Sequence, residues 1–296
     1  MLNTYALLEL TLLEIEKNIK NKVNADSLAR AVPVSSAHLQ RLFRLAFEVP
    51  LASYIRARKL AASLEALLKT DLRVIDIAAE YGFGYEQSYI RAFKREFGAT
   101  PGEARAAGHI IPVMPPLQLA EKNKIGDGLL FGPDFVMVPT FHVVGRRHVV
   151  PYDIADDEAP RLAKDFWFNF REAVPNRLGD DIYIGLTRVP PGNADFSYYL
   201  PSVPVSNTEN PPPATLEADT FPASLCAKFH YIGQHHYFDL NAIVAEGMYN
   251  AIWEYENSPD AKYRLAPDIY FERINKADYD GVFCKLEWFT PVIEKN

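Results

Sequence analysis

The spacing of apolar residues changes once along this 296-residue chain. In the first third they recur three and four positions apart, the rhythm of amphipathic helices. Beyond Asp134 they fall into short β-branched and aromatic runs bounded by turn residues, the texture of strands. The helical rhythm predicts Tyr5 to Ile19, Ala25 to Ala31, Ser35 to Phe47, Pro50 to Leu68, Val74 to Tyr81, Glu86 to Phe97 and Pro101 to about Ala107. The stretch Ser35 to Phe47 turns Leu39, Leu42, Phe43 and Ala46 inward. Its other face carries Ser36, His38, Gln40, Arg41 and Arg44, side chains able to reach base edges and phosphates. Ser35 or Ser36 supplies the N-cap.

That pattern returns fifty positions later: Asp26 matches Asp76, Ala29 matches Ala79, Arg41 matches Arg91, Phe43 matches Phe93 and Phe47 matches Phe97. In the second copy Tyr85, Gln87, Ser88, Arg91, Lys94 and Arg95 take the outward positions, and Gly82-Phe83-Gly84 forms the turn. Short helix, tight turn, longer helix is a helix-turn-helix, whose second helix enters the major groove.

Residues 1–105 resemble the paired helix-turn-helix domain of AraC-type transcription regulators, most specifically in IDIAAEYGFGYEQSYIRAFKREFGATP (Ile75 to Pro101) and SYIRARKL (Ser53 to Leu60). The first unit departs from the family pattern: Pro33 and Glu48 stand where glycines are usual, and Ala37 where a large aromatic is common. The resemblance implies double-stranded DNA as a partner, with RNA polymerase as a further one.

A net charge of −7 argues against nucleic acid until it is divided. Residues 1–109 hold 15 Lys/Arg against 12 Asp/Glu; the remainder holds 16 against 26. The asymmetry suggests different partners for the two parts. In the first part, placement must matter more than total charge. Arg56, Arg58 and Lys59 cluster between the repeats, facing either phosphates or plain solvent. No apolar run spans a bilayer, and Glu9, Glu14 and Glu16 interrupt the leucines near the start, so neither a membrane anchor nor a signal peptide is expected. Cys226 and Cys284 lack metal-ligand spacing and fit small buried thiols in a reducing, cytoplasmic setting.

Breakers crowd residues 108–133 (Pro112, Pro115, Pro116, Gly126, Gly128, Gly132 and Pro133), so a linker is expected there, between a DNA-binding domain over 1–107 and a second domain over 134–296. In the second domain, strands are expected near Val136–Val150, Ile182–Val189, Phe196–Val205, Thr215–Asp219, Ala223–Tyr231, Asp268–Ile274 and Gly281–Pro291. Helices are expected over Arg161–Val174 and Asp239–Glu256. Asp181-Ile182-Tyr183-Ile184 resembles Asp268-Ile269-Tyr270-Phe271, and each is followed by a strand ending Pro-Val. Strand, helix, strand, strand thus occurs twice, an α+β arrangement with one sheet and a concave seam where the copies meet. The fold class is two domains, all-α followed by α+β.

Residues 134–292 resemble the GyrI-like effector-binding domain, in the DIYF strand and in KLEWFTPV (Lys285 to Val292). The resemblance implies a pocket for cationic, aromatic ligands with an acid on the closing strand. Glu287 matches that acid and Tyr270 the neighbouring aromatic; Phe289, Tyr183 and Trp167 complete the expected lining. A carboxylate attracts a cation by charge and ring faces add cation–π attraction. The plainer reading of Glu287 is a carboxylate paired with lysine or arginine, and of Trp167 and Trp253 core packing. His230, His235 and His236 show no metal-ligand spacing, and no catalytic constellation, phosphate-binding loop or cofactor motif stands out. The expectation is a transcription regulator that senses a small molecule. The alternatives are a hydrolase tethered to a DNA-binding domain and a protein that sequesters small molecules.

Overall fold

The computed structural model describes residues 3–32, 34–107, 111–120, 123–151, 158–192, 195–209, 212–239, 242–266, 268–279 and 281–295. The Pro33 turn lies outside the described residues. The chain divides into two compact units, Met1–Ala120 and Glu121–Asn296.

The first unit is helical: α1 (Thr4–Lys17), α2 (Ala25–Ala31), α3 (Ser36–Phe47), α4 (Leu51–Lys69), α5 (Val74–Glu80), α6 (Glu86–Phe97) and α7 (Pro101–Ala107). Caps fix the starts. Asn24 and Ser27 form a reciprocal capping box on α2, and the Ser35 hydroxyl accepts the His38 amide at the head of α3. Both longer helices of the repeats end in the left-handed region, α3 at Glu48 (φ 57°) and α6 at Gly98 (φ 78°). The copies therefore share backbone geometry although only one has the glycine that adopts it without strain. The long α4 is buried on several sides and joins them. Phe43 packs on Phe47 and Tyr54 at one end, and Tyr89, Phe93 and Phe97 pack in series at the other.

The second unit is an antiparallel sheet of eleven strands with helices on one face. Its elements are β1 (Lys124–Ile125), β2 (Gly128–Val138), β3 (Phe141–Gly145), β4 (His148–Pro151), α8 (Glu158–Asn169), β5 (Ile182–Arg188), β6 (Phe196–Val205), β7 (Glu217–Phe221), β8 (Ser224–Gly233), α9 (Ala242–Asn257), β9 (Tyr263–Leu265), β10 (Ile269–Asn275) and β11 (Cys284–Glu294). The strand order is β1-β2-β8-β11-β10-β5-β6-β3-β7; β4 also pairs with β6, and β9 with β11. The two copies of strand-helix-strand-strand meet where β5 pairs with β10. One core, under α8 and α9, holds Phe166, Trp167, Tyr183, Phe229, Tyr231, Met248, Leu286 and Trp288. The opposite face buries Ile184, Leu186, Leu200, Phe221, Phe271 and Phe289.

Two expectations are corrected. The stretch 108–133 is not a continuous linker: β1 and the first half of β2 lie in it, and residues 111–120 belong to the helical unit. The Met114 carbonyl accepts from Arg58 Nη1 at 2.5 Å, and the Leu117 amide donates to the Tyr54 hydroxyl at 3.0 Å. Prolines prevent regular structure here without preventing docking. The single strand expected over Val136–Val150 is three strands, broken at Pro139-Thr140 and at Arg146-Arg147.

Candidate nucleic-acid interface and ligand site

On α3 the inward set Leu39, Leu42, Phe43 and Ala46 is fully buried. Gln40 and Arg44 are exposed, and Ser36, His38 and Arg41 are half-buried along the same outward face. On α6, Tyr89, Ala92 and Phe93 are buried, while Tyr85, Gln87, Arg91, Lys94 and Arg95 are exposed and Ser88 is half-buried. Tyr85 stands 79% exposed at the head of α6, an unusual position for a large ring with nothing to cover it. Each repeat thus offers one polar helix face, with Arg41 and Arg44 on α3 and Arg91, Lys94 and Arg95 on α6.

The basic cluster on α4 divides. Arg56 remains partly exposed, held to the Ser53 hydroxyl at 3.3 Å. Arg58 and Lys59 do not face solvent. Arg58 binds both Glu16 oxygens, at 2.8 and 2.9 Å, as well as the Met114 carbonyl. Lys59 donates to the Asn21 carbonyl at 2.8 Å, and burial lowers its pKa. A Cβ on Gly82 would stand 2.8 Å from Lys59 Nζ and 3.0 Å from the Asn21 carbonyl oxygen, so the turn of the second helix-turn-helix closes against this bond. Arg58 ties α4 to α1 and to residues 111–120, and Lys59 ties it to Asn21, between α1 and α2. The expectation that they face phosphates fails because α4 runs through the middle of the unit.

In the second unit the register separates the residues expected to meet. Glu287 pairs with Arg273 and Phe289 with Phe271, so Glu287 and Phe289 share one face of the sheet. Tyr270 pairs with Thr187 and Tyr183 with Ile274, which puts both tyrosines on the other face, beneath the helices. Glu287 and Tyr270 therefore cannot line one pocket. Glu287 is the paired carboxylate of the plainer reading: Arg273 meets it at 2.6 Å and Lys285 at 3.1 Å. Trp167 is buried in the helix-side core, with the Arg171 guanidinium 4.2 Å over its ring. Trp253, by contrast, is 65% exposed.

The acid on the helix side is Glu272. Its Oε1 accepts from the Tyr199 hydroxyl at 2.6 Å, and that hydroxyl is 2.6 Å from the Tyr183 hydroxyl. The Cα partner of Glu272 on one side is Trp288, whose ring stacks on Tyr270 at 4.9 Å and 14°. Its partner on the other side is Gly185, where a Cβ would come within 2.4 Å of Oε1. The missing side chain at Gly185 is the room the carboxylate occupies. Burial raises the Glu272 pKa to about 7, although the Tyr199 hydrogen bond pulls it down. Both tyrosines are pushed well above their ordinary pKa, first by burial and then by the nearby carboxylate. The side chain is half-buried, and it accepts from a hydroxyl. The sequence carries a signal for it: the offset aligning Asp181–Ile184 with Asp268–Phe271 also aligns Gly185 with Glu272.

The duplicated helix-turn-helix defines the class of the first unit. Residues 28–107 match the family described as "Helix-turn-helix domain". The regulatory protein SoxS of Salmonella typhimurium is 36% identical over 96 residues, which are 32% of this chain and 90% of SoxS. The transcriptional activator AarP of Providencia stuartii is 39% identical over 87 residues, 29% of this chain. The chain spans 64% of AarP's length. An integron cassette protein of Vibrio cholerae, a solved structure, aligns with 56% of this chain and 99% of its own at 15% identity and a TM-score of 0.39. The chain belongs to the AraC-type family of helix-turn-helix proteins.

Proposed function

We propose that the chain is a DNA-binding transcription regulator whose second unit binds a small cationic, aromatic effector. The observation that carries the first half is the pair of equivalent helices, α3 and α6, each with an arginine at the same repeat position on its polar face: Arg41, half-buried, and Arg91, exposed. Ser36, His38, Gln40, Arg44, Tyr85, Gln87 and Ser88 are the further candidates for base and phosphate contact, and Arg56, Lys94 and Arg95 for phosphates alone. Mobility shifts on double-stranded DNA selected from a random pool test this: Arg91→Ala is expected to weaken binding and relax one position of the site. Equal affinity for every sequence would contradict it.

The effector site is built on Glu272 with Tyr270, Trp288, Tyr183 and Tyr199, in place of Glu287. A carboxylate kept near its titration midpoint by burial gains an ionising partner when a cation arrives, and the stacked Tyr270–Trp288 pair offers ring faces. Titration of rhodamine 6G, a flat cationic dye, into wild type and Glu272→Gln tests the site. Loss of binding in the variant is expected. Retained binding by Glu272→Gln, or loss only in Glu287→Gln, would overturn it. Hydrolysis of the bound compound would favour an enzyme over a sensor. A dye affinity indifferent to operator DNA would favour a sequestering protein.

A further inference from the structure

The two repeats start their longer helices differently. Ser35, before α3, accepts the His38 amide on its hydroxyl at 3.2 Å. Fifty positions on stands Tyr85, the N-cap residue of α6, with extended backbone (φ −141°, ψ 141°) and no side-chain cap bond. The Ser88 amide, equivalent to that of His38, turns instead to the Tyr85 carbonyl at 3.0 Å. A serine or aspartate at this position would stabilise the helix, so the tyrosine forgoes a local gain. Packing of the ring does not offset that. Phe83, two residues earlier, lies edge-on against buried Tyr89 at 5.1 Å. The Tyr85 ring, 79% exposed, has no ring or hydrogen-bond partner among the described residues. A Cβ on the intervening Gly84 would meet no atom within 4 Å, so the space beside the ring is open.

We infer that Tyr85 is a specificity-determining residue of α6, its ring covering the methyl group of a thymine in the major groove. The N-terminal end of a recognition helix is the part that meets base edges. The thymine methyl is the one apolar group that the four bases present in that groove, and an aromatic ring laid on it removes it from water. A phosphate contact is the poorer use of this side chain, because Arg91, Lys94 and Arg95 already bring cations to the exposed face of the same helix. The first repeat has a capping serine at the equivalent position and lacks this contact, so the two halves of the DNA site differ in sequence although the helices are duplicated. The inference rests on α6 reading DNA.

Affinities of the full chain for a duplex selected from a random pool test it, with each thymine of the selected motif replaced in turn by deoxyuridine, which lacks only the methyl. One such replacement is expected to weaken wild type and Tyr85→Phe about fourfold, the worth of one buried methyl group, and to leave Tyr85→Ser unaffected. On the unmodified duplex Tyr85→Ser is expected to bind about tenfold more weakly than wild type, and Tyr85→Phe equally well. Tyr85→Ser is also expected to raise the thermal midpoint, because the serine can cap α6 as Ser35 caps α3. A loss in Tyr85→Phe as large as in Tyr85→Ser would assign the hydroxyl to a phosphate and overturn the inference. So would deoxyuridine effects that are the same in wild type and Tyr85→Ser, a motif without thymine, or a lower thermal midpoint in Tyr85→Ser, which would make the ring part of the fold. Equal affinity of wild type for every sequence is the separate result that would overturn the DNA reading and this inference together.

Discussion

Gly185 and Glu272 are Cα partners across the seam between β5 and β10, and they are also the same position in the two copies of the repeat. One copy removed its side chain; the other placed a carboxylate in the space. The acid thus sits at the centre of the duplicated fold, between Tyr199 on one copy and Trp288 on the other.

Gly185→Ala tests that relationship. The added methyl would fall 2.4 Å from Glu272 Oε1 and 2.8 Å from its Cγ, so the glutamate must move. The displacement is expected to cost about 1–3 kcal/mol, as overpacking does, and to abolish dye binding while leaving DNA affinity intact. The double variant Gly185→Ala/Glu272→Ala should regain stability, read from urea midpoints. A fully additive pair would show that the two side chains do not compete.

The Glu272 carboxyl also makes stability depend on pH. Its pKa rises on folding from 4.5 to about 7, so the folded chain binds more protons between those values. Stability from this group is full below pH 4.5, falls as pH climbs to about 7, and is level above. Glu272→Gln, which stays neutral, should match wild type near pH 4.5 and exceed it by up to about 3 kcal/mol at pH 8. Dye binding should strengthen over the same interval, because the cation favours the ionised acid. Parallel stability curves for the two proteins from pH 4.5 to 8 would refute the raised value.

Glu48 holds a left-handed backbone that Gly98 holds freely in the second copy. Glu48→Gly is expected to stabilise the helical unit by about 1 kcal/mol. A lower thermal midpoint would mean that the glutamate side chain contributes more than its backbone strain removes.

Arg58 and Lys94 should behave oppositely. Arg58→Gln breaks the pair with Glu16 and the bond to the Met114 carbonyl and should cost about 2 kcal/mol of stability. The salt dependence of DNA binding should remain unchanged. Lys94→Ala should leave stability within about 0.5 kcal/mol and reduce the salt slope by about one unit. A reduced salt slope in a folded Arg58→Gln protein would return that residue to the interface.

The helices were legible because each writes its own period and caps: α2, α6 and α7 begin and end at the residues the pattern predicts. The exposed faces of α3 and α6 followed from the same alternation. What the sequence could not convey was what packs against what. Arg58 and Lys59 look like any exposed cations until α1 and residues 111–120 cover them. The strands that carry Glu287 and Tyr270 are legible, but which faces the two share depends on the register between β10 and β11, and a shift of one residue reverses it. Glu272 was readable in the aligned repeats, as a carboxylate opposite a glycine; its burial and its tyrosine partners were not. The short strands β1 and β9 carry too few residues to show alternation.

The central claim is that one chain reads DNA with two equivalent helices. The direct measurement is selection of bound duplexes from a random pool, followed by affinities of wild type, Arg41→Ala and Arg91→Ala on the winning sequence. A two-part motif is predicted, its halves about one helical turn apart. Each substitution should cost about 1–3 kcal/mol and relax a different half. A single short motif, or one that neither substitution changes, would contradict the account.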